Sequence, residues 1–217
     1  CSLVGSEMCI RDRSKVTCSG SVPGEEVAMF LSNRRTHDAL KQNRLYEMLS
    51  CDPDYMDAYG LELVAGRGFS EDYGDDVNKL VINETAARTL GYTDYESVIG
   101  EEISVETIEE PMQVIGVVKD YHQQALNRNY TPIMLFHKDK IDWIPQRYIS
   151  IVMKPGDSLE LVSQISEIWT TYFADSSFDY FFLDQFYDRQ YRQDEAFGVL
   201  MLSLIHISEP TRLQLIS

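Results

Sequence analysis

The apolar positions along the chain change their spacing several times, and each change predicts an element. Lys79–Ile82 is a short apolar run. Asn83 after it stands at the N-cap position and Gly91 at the residue beyond a C-terminus, which predicts a two-turn helix over Glu84–Leu90. Strands are predicted at Ile103–Val105 and Met112–Lys119 around a charged hairpin at 106–111, then at Pro132–Phe136 and Tyr148–Met153. Pro155-Gly156-Asp157 opens a helix whose Leu161, Val162, Ile165, Ile168, Trp169, Tyr172 and Phe173 form one apolar stripe. Ile165, Ile168, Trp169 and Tyr172 are expected against a sheet holding 148–153 and a further strand at Phe178–Leu183, a βαβ or split-βαβ unit. A helix is expected from Asp184 onward.

Upstream the pattern is weaker. A short apolar stretch leads to a turn at Pro23-Gly24, and residues 32–45, with Arg34, Arg35, Lys41 and Arg44, read as a solvated loop or an edge strand. An Asp-Pro turn opens a short helix within 51–59, and Leu61–Val64 runs into a loop rich in glycine and acid. Strands and short helices mix without strict alternation, so the fold class is α+β.

The two flanks read differently. VGSEMCIR (Val4–Arg11) and LIHISEPT (Leu204–Thr211) can be encoded by one DNA sequence and its reverse complement read one base in. They resemble translated sequencing-adaptor peptides, so residues 1–13 and 202–217 are expected to be artefact and are set aside from fold reasoning. Glu7 and Asp12 balance Arg11 and Arg13, and Glu209 balances Arg212. The net charge of −16, from 19 Lys+Arg and 35 Asp+Glu, therefore belongs to the middle. Such acidity argues against a nucleic-acid binder, which needs a basic face. Of the 217 residues 44% are hydrophobic, enough for a core, yet no run of about 18 apolar residues occurs that would span a bilayer.

Candidate chemistry is sparse. Asp120-Tyr121-His122 follows a strand, and Asp120 and His122 could share a face, but they read instead as a strand exit whose polar groups cap the following turn. His37 and His137 lie apart in sequence. Asp52, Asp54 and Asp57, and the run Glu71, Asp72, Asp75, Asp76, lack the glycine and glutamate positions of a calcium loop and read as solvated surface. Gly66-Arg67-Gly68 is not a phosphate-binding fingerprint. The aromatics Phe178, Tyr180, Phe181, Phe182, Phe186, Tyr187 and Tyr191 read as core rather than a stacking wall. Cys18 and Cys51 are the cysteines left after the flanks are removed, and spacing alone does not decide whether they pair. No catalytic, cofactor or metal residues are assigned.

An ordered set of segments carries more information. VPG (22–24), DPDYMDAYGLELVAGRGFSED (52–72), KLVINETAARTLGY (79–92), VIG (98–100), VIGVVKDYH (114–122), TPIMLF (131–136) and FDYFFLDQFYDRQYRQDEAFG (178–198) succeed one another. The set resembles the MacB-like periplasmic core domain of FtsX-like ABC transporter permeases, over residues 14–201. The strongest matches are Ala58–Arg67, Val81–Ala87 and Ile115–His122.

The resemblance implies a two-lobed extracytoplasmic domain: a porter-like split-βαβ lobe from about 14–49 and 147–190, an inserted mixed α/β lobe at about 50–140, and a membrane-entering helix beginning over 184–201. It implies that a strand and helix of the porter-like lobe precede Ser14, and that a membrane-spanning segment follows Met201. Function would then be mechanical, without catalysis or cofactor. A cytoplasmic ABC ATPase drives membrane helices, and the outer domain, as part of a permease dimer in a bacterial cytoplasmic membrane, exports substrate or acts on a periplasmic or outer-membrane partner protein. Gly60, Gly66 and Gly116 would permit tight turns or close strand packing. A stand-alone extracellular binding module is the alternative, and a hydrolase would need a paired nucleophile and base.

Overall fold

The computed structural model describes residues 15–27, 29–37, 42–74, 76–124, 128–141, 143–153, 158–174 and 177–189. The adaptor-like flanks and residues 190–201 of the expected membrane-entering helix lie outside the described residues. The chain forms two compact units, Cys1–Ala174 and Asp175–Ser217.

The first unit is α+β and is built around one sheet. Its strands are β1 (Lys15–Ser19), β2 (Phe30–Arg35), β3 (Arg44–Cys51), β4 (Leu63–Gly66), β5 (Lys79–Asn83), β6 (Glu102–Val105), β7 (Met112–Val118), β8 (Ile133–His137) and β9 (Tyr148–Val152). Among the described residues of this unit the α-helices are α1 (Tyr55–Ala58), α2 (Glu84–Leu90) and α3 (Ser158–Tyr172). The strands run β2-β6-β7-β5-β8-β3, and β2 also pairs with β3, so six strands close on themselves. β3–β8 and β5–β7 are parallel; the other pairs of the ring are antiparallel.

A closed ring leaves its strands no free edge and encloses one face. All six strands contribute to the enclosed cluster, among them Leu31, Tyr46, Leu80, Ile103, Met112 and Phe136, and α2 adds Ala86, Ala87 and Leu90. A second cluster forms on the opposite face, where Leu49, Val81, Ile115 and Leu135 pack with Tyr55 and Met56 of α1. β4 adds to β7, and β1 and β9 extend from β3.

Two expectations change. Of the segment 32–45, expected as a solvated loop or an edge strand, residues 32–35 belong to β2 and 44–45 to β3, and β2 is no edge because it is paired on both sides, to β3 and β6. Phe178–Leu183 forms no strand: residues 177–182 are irregular and 183–189 are helical. Within the second unit no described strand lies beside this segment. Its rings instead meet one another, Phe178 on Tyr180 at 5.6 Å and Phe181 on Phe186 at 5.4 Å. Strand propensity alone does not hold a segment extended when no neighbour completes the ladder.

The α3 stripe is present in sequence but not sealed. Ile165, Ile168 and Trp169 are half-buried, and Tyr172 is 61% exposed. Trp169 packs along its own helix on Phe173, with ring centres 4.6 Å apart. No described helix is long and apolar enough to cross a membrane.

Candidate functional site

The polar residues that could have carried chemistry are drawn into three structural networks. The first surrounds the start of α2. Asn83 ends β5 with extended dihedrals, and its Oδ1 accepts from the backbone N–H of Ala86 at 2.9 Å, the cap expected from its spacing. The same oxygen accepts from Ile133 N–H, and Nδ2 donates to the Thr131 carbonyl, so one amide fastens β5, α2 and β8.

Asp120 joins this network. It accepts from the backbone N–H and the hydroxyl of Thr85, each at 2.8 Å, and from the Arg88 guanidinium. Its own N–H donates to Glu84 at 3.0 Å. The Asp120 carboxylate thus serves α2, whereas the His122 ring lies on Tyr130 with centres 4.6 Å apart. The acid–base pair considered from sequence is not assembled.

The second network explains Gly66-Arg67-Gly68. Arg67 makes a two-pronged ion pair with Asp76, at 2.6 and 2.7 Å, and stacks over Tyr73. Burial by itself would raise the Asp76 carboxyl. The Arg67 hydrogen bonds, the Ser70 N–H and the guanidinium charge outweigh it and hold the group below the usual carboxylate range. Of this acid run Asp76, expected at the surface, is buried against an arginine, whereas Glu71 and Asp72 are exposed as expected.

The third network lies where β1 and β9 leave the ring. Asp52, expected at the surface, is turned inward: Oδ1 accepts from the Thr17 hydroxyl at 2.5 Å and Oδ2 from Cys18 N–H at 2.7 Å. Asp54 remains exposed. Partial burial, then the neighbouring Asp52, Glu71 and Asp57 carboxylates, raise its pKa against an opposing Lys138. Asp57 pairs with Lys15 at 2.6 Å. Glu25 accepts from the Tyr148 hydroxyl, which burial and that carboxylate push up to about 12. Gln123 spans from Ser21 to the carbonyls of Val22 and Glu25.

The remaining candidates stand apart. His37 lies 3.7 Å from Glu102 at the surface, and His137 packs edge-on against Phe69. Cys51 is a free, buried thiol and so does not bridge to Cys18. Among the described residues no group of three or more His, Cys, Asp or Glu is placed to hold a metal ion. A cavity beside Gly20, Ser21, Glu25, Met48 and Arg147 has about 80 Å³, far below the ~300–1,000 Å³ of small-molecule sites. A depression along α3, bounded by Ser166, Glu167, Thr170 and Thr171, is open surface.

One buried acid was not legible in the sequence. Glu47, in the middle of β3, is 1% exposed. Gln124 donates to its Oε1 at 2.6 Å, while Oε2 is buried without a hydrogen bond. Burial raises its pKa, the Thr131 hydroxyl and Gln124 amide oppose this, and Glu26 adds to it.

Comparison with known proteins follows the same lines. Residues 11–167 match the family model described as MacB-like periplasmic core domain. The fold is similar to the periplasmic region of MacB from Actinobacillus actinomycetemcomitans, at 17% identity and TM-score 0.54, over 79% of this chain and 71% of that one. A domain of a protein described as a permease from Porphyromonas gingivalis gives 17% and 0.55, over 86% and 87%. The extracellular domain of the noncanonic ABC-type transporter YknZ from Gram-positive bacteria gives 17% and 0.50, over 74% and 73%. No curated protein matches the chain.

Proposed function

The chain belongs to the MacB-like periplasmic core domain family, and on that premise we propose that it couples ATP-driven motion of membrane helices to work outside the membrane. Its partners in this reading are a cytoplasmic ABC ATPase, reached through the membrane part of the permease, and a second permease subunit. The work is export of a substrate or action on an extracytoplasmic protein. The domain acts on the outer side of a bacterial cytoplasmic membrane, and it does so mechanically, without covalent chemistry of its own.

The observation that carries this reading is the pairing of β1 with β9. The two strands run antiparallel in continuous register from Lys15↔Val152 to Ser19↔Tyr148. The chain therefore reaches the ring and leaves it at the same place, side by side. A body hung from two adjacent strands follows any displacement of the segments to which those strands lead. The closed ring, with apolar clusters on both faces, gives that body the stiffness to transmit force.

The test uses the full-length permease produced together with its ATPase. Replacing residues 15–152 by a flexible linker should leave the subunits co-purifying and hydrolysing ATP while outward activity is lost. A parent chain without membrane-spanning segments, or one that never associates with an ATPase, would overturn the assignment.

A further inference from the structure

The β1–β9 ribbon is joined to the ring by very little ladder. β1 and β3 share a single register pair, Ser19↔Cys51, whereas β1 and β9 share five. Around that pair stand the Gly20 N–H to the Ser50 carbonyl, at 2.8 Å, and the Arg147 N–H to the Ser19 carbonyl, at 3.0 Å. Beyond it, toward Lys15 and Val152, the ribbon leaves the sheet and lies against α1 instead.

Among the described residues, side chains on the segment after β3 hold it there. Asp52 makes a two-way link to β1. Its carboxylate accepts from Cys18 N–H and the Thr17 hydroxyl, and its own N–H donates to the Cys18 carbonyl at 3.1 Å. Thr17 and Cys18 are buried, and Asp52 is 9% exposed, so water does not readily replace these bonds. Farther along, the Tyr59 and Ser150 hydroxyls meet at 2.6 Å across α1 and β9. Lys15 at the far end reaches Asp57, but the Asp57 side chain is 74% exposed and that of Lys15 37%, so the contribution is small.

We propose that the ribbon is a lever hinged at Ser19–Gly20 and Arg147–Tyr148, and that Asp52 is the catch that fixes it to α1 and the ring. With the catch closed, ribbon and ring move as one piece. With it open, the ribbon swings about the single Ser19↔Cys51 pair while the ring keeps its own pairing. Asp52 is a positioning residue in this device: it sets the angle at which the ribbon leaves. Its use in transmitting force rests on the permease reading above, but the catch itself is a property of this chain.

Amide hydrogen exchange on the 217-residue chain tests the catch directly. Asp52→Ala, which removes both bonds that its carboxylate accepts, should speed exchange across β1 and β9 by at least about tenfold, the factor that loss of even one hydrogen bond to a carboxylate corresponds to, and leave β5, β7 and β8 unchanged. Thr17→Val, which removes one bond and keeps the side-chain shape, should give a smaller change in the same strands. It keeps the test decisive if the alanine variant fails to fold. Equal acceleration in the ring strands would make Asp52 a general stability residue and overturn the proposal. No acceleration in the ribbon would overturn it as well, since the ladder alone would then suffice. Neither outcome depends on an ATPase or a membrane, so failure of the catch and failure of the permease reading are told apart.

Discussion

At residue scale the sharpest constraint is the approach of β4 to β7. A Cβ on Gly116 would stand 2.1 Å from the Arg67 carbonyl oxygen, and one on Gly66 would stand 2.2 Å from that of Ile115. Both obstacles are backbone, so neither can step aside cheaply. Gly116→Ala is expected to cost about 2–4 kcal/mol in urea unfolding. Gly60, at φ +64 with nothing within 4 Å of its would-be Cβ, provides the control: its alanine should cost only the left-handed backbone strain, about 1 kcal/mol.

Two buried acids should respond to pH with opposite sign. Glu47 has a raised pKa in the folded chain, so its contribution is complete below the usual glutamate range and lost as pH rises through the raised value. Asp76 has a lowered one, so its contribution is present above the usual aspartate range and lost as pH falls through the depressed value. Melting temperatures measured from acid to neutral pH should show Glu47→Gln gaining on the parent toward neutrality. Asp76→Asn should fall behind it over the same span. Parallel curves for both variants would refute the assigned environments.

At the scale of elements, Asn83 should behave as more than a helix cap. A cap alone is worth about 1 kcal/mol. Asn83→Ala also leaves the Ile133 N–H and the Thr131 carbonyl without their partner at the start of β8, so roughly 2–4 kcal/mol is expected. Asn83→Asp keeps both accepted bonds, loses the donation to Thr131 and should cost less. If alanine costs no more than a cap, the link to β8 contributes nothing.

The α2 region was legible because its signals are local: Asn83 and Gly91 sit at cap spacing, and Gly91 has the left-handed φ of 97° that its position demands. β3 was not legible. Its residues from Tyr46 to Cys51 are all buried, on both faces, so no alternation marks it, and a charged Glu47 lies in the middle. β2 was hidden by its polarity, since Asn33 and Arg35 face inward, Asn33 toward Met134 and Arg35 over Tyr92. The role of Asp52 depends on a strand 34 residues earlier, which no spacing rule reports. For α3 the periodicity gave the helix but not its cover. Trp169→Ala should therefore cost less than about 1.5 kcal/mol in this chain, against about 2–5 for Leu135→Ala in the sealed core.

For the whole molecule, the mechanical reading requires the ring to keep its shape while the ribbon moves. Arg34 and Ser104 stand directly opposite each other where β2 meets β6, and their neighbours Asn33, Ile103 and Val105 are buried, so both side chains face outward. Paired cysteines at 34 and 104 would tie the seam that closes the ring. Cys51 has no exposed surface and should stay out of the oxidation. In a full-length permease, oxidising the 34–104 pair should raise the domain's melting temperature and leave outward activity unchanged, because a seam that never opens loses nothing by being tied. Cysteines replacing Tyr59 and Ser150, whose hydroxyls meet between α1 and β9, stand too far apart for a direct disulfide but, bridged by a bifunctional methanethiosulfonate that spans the length of the lost Tyr59 side chain, would instead bind the ribbon to the ring. That cross-link should slow outward activity and restore it on reduction. If tying the seam stops the permease while tying the ribbon does not, the ring itself deforms during the cycle, and the lever must be sought within it.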